Sequence, residues 1–231
     1  AGLIAVSPCL RNRKPSLHSN RKEMHFLTPE ELGRLADSVA AEFRPLVLVS
    51  GWLGLRWGEV RGLKKKRVDL LRKELWVEEQ LVEPQGHLQF APLKTEASRR
   101  RLPLPQFVAD VLRDHLAARP GGPEALVFVS REGAALRDSW IRRHFKPAVV
   151  RAGLPRTVRF HDLRHTCAAL LIRQGAGEYE VQRFLGHASA RTTGDNYSHL
   201  FEGFETRLSA RLQDLYDTAS AAAPTPAADT A

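Results

Sequence analysis

Cysteine is nearly absent from this chain: Cys9 and Cys167 are the only two in 231 residues, far apart and outside any C-x-x-C spacing. Neither a disulfide framework nor a thiolate zinc site is encoded, and a reducing, cytoplasmic compartment is expected. Long apolar runs are lacking too. The longest, PLVLVSGWLGL at 45–55, is about half the roughly 20 residues that a membrane-spanning helix requires, so no transmembrane helix is expected. The first stretch has no apolar segment of the secretory-signal type and opens at Ala1 rather than Met, so an upstream part is expected to be missing. Internal repeats are absent, and acid is in short supply. Asp and Glu number 26 against 35 Lys and Arg, for a net charge of +9 and a pI near 10.1. That sign calls for a polyanionic partner such as nucleic acid, with a solvated basic surface as the plainer reading.

What is present is mostly helical period. Residues 1–27 hold Arg11, Arg13, Lys14, Arg21 and Lys22 against Glu23, with no period of either kind, and read as a basic linker. At TPEEL, Thr28 is a good N-cap, Pro29 suits the first turn and Glu31 completes a capping box, which predicts a helix over 29–42. A buried helix is predicted from Pro45 through GWLGLRWGEVRGL. Three β-rich runs follow, ELWVEEQLV, HLQFAPL and RRRLPL, separated by PQG and KTEAS. Helical periods then predict 106–118, 138–151, 161–174, 178–186 and 204–216. The expected class is α+β, mainly α-helical with a small antiparallel three-stranded β-sheet, over 28–216. ASAAAPTPAADTA at the end has no large apolar residue, so 217–231 is expected to be disordered.

The heptapeptide FHDLRHT at 160–166 carries the sharpest choice. His161 and His165 stand one helical turn apart with Asp162 beside them, as in an H-E-x-x-H zinc site. His161 and Arg164 at i and i+3 instead pair a proton-transfer group with a guanidinium, which suits a phosphate. The zinc reading is weak. Asp162 is one methylene short of the usual base, Arg164 would set a permanent cation beside a dication, and His187 lies in no third-ligand pattern. On that ground no metal is expected, and Asp162 and His165 are assigned helix-supporting roles. With nine histidines and 27 arginines, one H-x-x-R is expected about once by chance, and His18 with Arg21 makes a second. Company has to decide.

Arg56 in LGLRWGEV lies in an apolar helical stretch where Glu59 at i+3 can orient it, or form a structural ion pair with it. Lys94 in APLKTEASRRRLPL sits at a turn between β-rich runs, with Thr95, Arg99, Arg100 and Arg101 behind it, a basic tip suited to a polyanion or an ordinary solvated turn. In LGHASARTTGDNYSHL, Tyr197 follows His187 by ten residues, a spacing expected about 0.1 times by chance. Tyr197 lies on a polar segment, whereas Tyr216 continues an apolar stripe. A phenol can serve as nucleophile where neighbours take its proton and cations stabilise the phosphorane.

The ordered set Arg56, Lys94, His161, Arg164, His187 and Tyr197, in GLRWGEV, KTEASRRRLPL, HDLRHT, LGHAS and TTGDNYSHL, resembles the catalytic domain of tyrosine recombinases, the phage integrase family of DNA breaking-rejoining enzymes. The texture is most similar to integrases of actinobacterial phages and integrative elements. The resemblance implies a site-specific recombinase that needs no metal or other cofactor. Tyr197 would attack the scissile phosphate to give a 3′-phosphotyrosyl enzyme, Arg56 and Arg164 would bind the non-bridging oxygens, and Lys94 would protonate the leaving 5′-oxygen. His161 would act in proton transfer around the tyrosine, and His187 would hydrogen-bond the phosphate. It further implies double-stranded DNA as partner, a homotetramer on synapsed sites, an accessory DNA-bending or directionality factor, and an upstream core-binding domain. Phe204, Leu208, Leu212 and Leu215 form an apolar stripe that would dock on a neighbouring protomer or pack in cis. The alternatives are topoisomerase IB-like relaxation and a catalytically idle DNA-binding fragment.

Overall fold

Thr28 caps the first helix as TPEEL predicts. Its hydroxyl accepts from the Glu31 N–H at 3.2 Å, and the Glu31 carboxylate accepts from the Thr28 N–H at 2.9 Å. The computed structural model, which describes residues 24–187, 197, 200, 209 and 212–214, places α1 at Pro29–Ser38. The helix stops short of 42. Val39 turns extended and a single 3₁₀ turn over Ala41–Phe43 follows, which lets Val39 and Phe43 both reach the core. Packing also reaches back before Thr28. Leu27 is buried and its N–H donates to Thr166, so the folded unit begins before the boundary that composition set.

The helix predicted from Pro45 is two helices, α2 at Arg44–Leu53 and α3 at Trp57–Arg61. Between them Gly54 takes φ +66°, and a Cβ there would stand 2.4 Å from Leu185 and 3.2 Å from Cys167. Only glycine meets both demands. The same break leaves the Gly54 carbonyl outside the helix ladder, where the Arg164 guanidinium reaches it. α2 is buried on nearly every side and packs on α1, on α4 at Gln106–Ala117 and on α6 at Asp162–Arg173.

The β-rich runs form two small antiparallel sheets. β1 (Val68–Asp69), β2 (Glu74–Val77) and β5 (Arg100–Pro103) make a three-stranded sheet in the order β1-β2-β5, with Leu75 opposite Leu102 and Val77 opposite Arg100; the third strand is Val68–Asp69 and not the expected HLQFAPL. ELWVEEQLV divides at Glu78. Its second half is β3 (Glu79–Val82), which pairs with β4 (Gln89–Pro92) as a separate hairpin lying against α3. Gly62 permits this approach, since a Cβ there would be 2.7 Å from the Leu81 nitrogen. The helix predicted over 138–151 opens with a π-turn, Ile141–Phe145, and continues as α5, Lys146–Arg151. α6 and α7 (Glu178–Leu185) fall where their periods place them. The linker over 1–23, most of the helix expected over 204–216 with Phe204, Leu208, Leu215 and Tyr216, and the tail from 217 lie outside the described residues. Leu212 is described and exposed. No described helix is long and apolar enough to cross a membrane.

Candidate active site

Chain breaks and helix ends, rather than helix middles, supply this site. Arg164 stands in the first turn of α6, 1 % exposed. Its guanidinium donates to the Gly54 carbonyl at 2.7 Å and to the Leu185 carbonyl at 2.6 Å. Both acceptors are orphan carbonyls at the C-terminal ends of α2 and α7, where the helix dipole adds negative potential. A buried cation is thus held by neutral groups. Burial and the neighbouring Arg56 and Arg100 bring its pKa down to about 9, a value at which the guanidinium is still charged near neutral pH.

Arg56 caps α3 from outside. Its N–H and guanidinium both reach Glu59, at 2.9 and 2.8 Å. A further Nη2 bond runs to the Gly186 carbonyl at 3.4 Å, where α7 ends on a glycine at φ +68°. Glu59 is buried and takes a second guanidinium, Arg100, at 2.9 Å. Burial pushes the Glu59 carboxyl up, but Arg100, Arg56 and Arg164 outweigh it and hold it down at about 2. Its folded value lies below the unfolded one. The associated stability is therefore present above about pH 4.5 and drains as pH falls from there towards 2. Glu59→Gln removes the charge and leaves Arg100 buried without a carboxylate. The expected result is a loss of about 3 kcal/mol in urea unfolding at neutral pH, shrinking as pH falls below 4; a loss under about 1 kcal/mol would mean that this pair adds little.

Arg100 corrects an expectation. It was grouped with Thr95, Arg99 and Arg101 as a DNA contact, but its side chain is buried on Glu59, while Arg99 and Arg101 are exposed and Thr95 half-buried. A groove of about 750 Å³ lies beside them, lined among others by Arg99, Arg101, Tyr179, Arg183 and His187. Lys94 is exposed at the turn after β4. The loop behind it is tied down: Thr95 and Ser98 hydroxyls share a 3.0 Å bond, and Ser98 Oγ donates to the Gly186 carbonyl at 3.3 Å.

Tyr197 is 1 % exposed, and its hydroxyl meets Nδ1 of His165 at 2.7 Å. Its ring lies 6.4 Å from that of His187 and nearly parallel to it, with Phe26 at 6.4 Å, tilted. The histidine on the phenol is thus His165, expected only to support its helix, while His161, expected at the tyrosine, is exposed and meets His165 edge-on at 4.8 Å. The helix-supporting role expected of Asp162 does appear: it is fully buried and accepts from the Arg159 N–H and guanidinium, both at 2.7 Å. Burial pushes the Tyr197 phenol up to about 12 against the pull of Arg164. Desolvation, with Arg164 and Arg56, brings His187 down to about 3. Desolvation, His165 and the same arginines bring His161 to about 4, and His165 is lowered by burial. Near neutral pH the site therefore presents neutral imidazoles, a neutral phenol and two guanidiniums. Among the described residues no three His, Cys, Asp or Glu side chains converge as a metal site needs.

The helix-end carbonyls that hold the arginines were invisible to motif reasoning. The signal for His165 was present in its i, i+4 spacing from His161, which put both on one face.

Three comparisons relate this chain to known proteins. The sequence model of the phage integrase family matches residues 25–203. The integrase of Mycobacterium phage D29 is 31 % identical over 194 residues, which cover 82 % of this chain and 51 % of that protein. Among solved structures, the Tn1549 transposon integrase bound to circular intermediate DNA superimposes with a TM-score of 0.71 at 21 % identity, covering 82 % of this chain and 67 % of that one. XerA recombinase gives 0.64 at 25 % identity, covering 81 % and 64 %. The chain spans about half the length of the phage D29 protein it matches.

Proposed function

The chain belongs to the phage integrase family, and from that membership we propose that it is the catalytic part of a site-specific DNA recombinase, working through a 3′-phosphotyrosyl intermediate. The observation that carries this reading is the Tyr197 hydroxyl on His165, behind Arg164 and Arg56, whose guanidiniums are fixed by Gly54, Leu185, Glu59 and Gly186. Guanidiniums pre-set in this way need no reorganisation to receive a phosphate. Tyr197 attacks the scissile phosphate in line, and its bond to phosphorus conserves the energy for the second strand's 5′-hydroxyl. Arg56 and Arg164 hold the non-bridging oxygens of the pentavalent state. His187 hydrogen-bonds the phosphate, and His161 serves proton movement at the open side of the site. Lys94, free of any ion pair among the described residues, swings onto the 5′-oxygen when DNA arrives.

The double-stranded partner follows the groove by Arg99, Arg101 and Arg183, whose exposed charges position a backbone without reading sequence. A tetramer on synapsed DNA, accessory bending or directionality factors, a cytoplasmic setting, a linker that ends before Leu27 and follows an upstream core-binding domain, and a tail from 217 complete the reading.

The test is a nicked duplex that loses its 5′-hydroxyl fragment after cleavage and so traps the covalent complex. A 3′-linked adduct, resistant to denaturing electrophoresis and formed at an unchanged rate after exhaustive chelation, is the expected outcome. Supercoil relaxation with no recombinant products from two sites would shift the assignment to a topoisomerase, and binding with no adduct to an idle DNA-binding fragment.

A further inference from the structure

The nucleophile is held on three sides. His187 and Phe26 bracket the Tyr197 ring, and His165 Nδ1 takes its hydroxyl at 2.7 Å. His165 cannot drift, because the first turn of α6 is pinned. Asp162 binds Arg159, and Thr166 donates to the Asp162 carbonyl at 2.8 Å while accepting from the Leu27 N–H at 3.0 Å. His161, the histidine of the H-x-x-R pair, makes no bond to the phenol among the described residues.

Resting on the recombinase reading, we infer that His165 is the catalytic residue that takes the phenolic proton of Tyr197 when its oxygen attacks the scissile phosphate. A neutral imidazole carrying its proton on Nε2 accepts at Nδ1. The O–H bond breaks as the oxygen–phosphorus bond forms, and the proton stays on His165 as imidazolium. The phosphorus–O5′ bond breaks, and its electron pair takes a proton from Lys94. One proton enters the protein side chains and one leaves. In rejoining, the imidazolium returns the proton to the departing phenolate. The groups facing His165 are Asp162, which favours the imidazolium, and Arg159, Arg164, His161 and His187, which oppose it in their charged forms. This opposition makes the proton easy to return.

Adduct formation in single turnover, from about pH 6 to 10, separates the possibilities for wild type, His165→Asn and His161→Asn. Wild type should run flat above neutrality; His161→Asn, which loses a group of the site, should be slower but keep that flat shape. His165→Asn should be about 10²-fold slower at pH 7 and gain about tenfold per pH unit, as the phenol must then ionise unaided. Nitrogen-15 spectra of the full chain without DNA should show the His165 Nδ1 resonance move on Tyr197→Phe. A flat, wild-type profile for His165→Asn, an Nδ1 resonance unmoved by Tyr197→Phe, or the rising profile in His161→Asn instead would each overturn the inference. Absence of any wild-type adduct would fell the recombinase reading and this step with it, whereas a wild-type adduct with a flat His165→Asn profile fells this step alone.

Discussion

Tyr197→Phe leaves a protein that folds and binds DNA but forms no covalent complex with a nicked duplex, a loss of at least about 10⁴-fold in adduct rate. The substitution removes one oxygen from a ring that is 1 % exposed and keeps the ring's packing on His187 and Phe26. His165 loses a hydrogen bond inside the protein, which costs about 1 to 2 kcal/mol, an amount visible in unfolding without abolishing the fold. Binding should change by less than about twofold in a gel-shift assay, because the proposed function assigns the phosphate to Arg56 and Arg164 and the duplex to the exposed cations of the groove. The phenol, pushed up to about 12 by burial, is protonated in the free protein, so the nucleophile stays silent until a neighbour takes its proton. An adduct formed by Tyr197→Phe at even a hundredth of the wild-type rate would mean that another residue attacks.

The parts of this arrangement that were legible in the sequence are those in which local period and local chemistry agree. α6 and α7 follow their apolar spacing, and Thr28 with Glu31 announces α1. The six residues from Arg56 to Tyr197 were proposed from order and company, which can be read when the fold is unknown. The rest was hidden where tertiary contacts override local preference. GWLGLRWGEVRGL reads as one helix, yet it breaks at Gly54 because Leu185 and Cys167 leave no room for a side chain and because Arg164 requires that carbonyl. ELWVEEQLV reads as one strand, yet Glu78 hands its two halves to different partners.

Arg100 was legible but overlooked. β5 alternates, with Arg100 and Leu102 inward and Arg101 and Pro103 outward. A strict period of two therefore puts Arg100 on the core side, where only a buried carboxylate such as Glu59 could receive it. The run of three arginines reads as a patch only if the strand is ignored. His165 was underweighted for another reason: its spacing from His161 suggested a metal site, and once that was set aside only the fold could bring Tyr197, 32 residues on, against its Nδ1.

Lys94→Ala should cleave ordinary duplex about 10³-fold more slowly, within the range for loss of a general acid, and should recover to within about tenfold of wild type when the bridging 5′-oxygen is replaced by sulfur. The reasoning turns on the leaving group. A 5′-alkoxide is strongly basic and departs poorly without a proton, whereas a thiolate is stable unprotonated and needs no acid. A lysine that merely attracts the backbone would be missed equally by both substrates. The geometry makes Lys94 the natural donor: it is the exposed cation at the head of a loop anchored through Ser98 to the Gly186 carbonyl, the same oxygen that Arg56 reaches. Arg99 and Arg101 are exposed as well, but a guanidinium holds its proton too tightly to be a general acid at neutral pH, and Arg100 is committed to Glu59. If sulfur fails to rescue Lys94→Ala, Lys94 acts through binding, and the proton for the 5′-oxygen comes from another group; if it rescues Lys94→Ala but not Tyr197→Phe, the two residues stand at opposite ends of the same displacement.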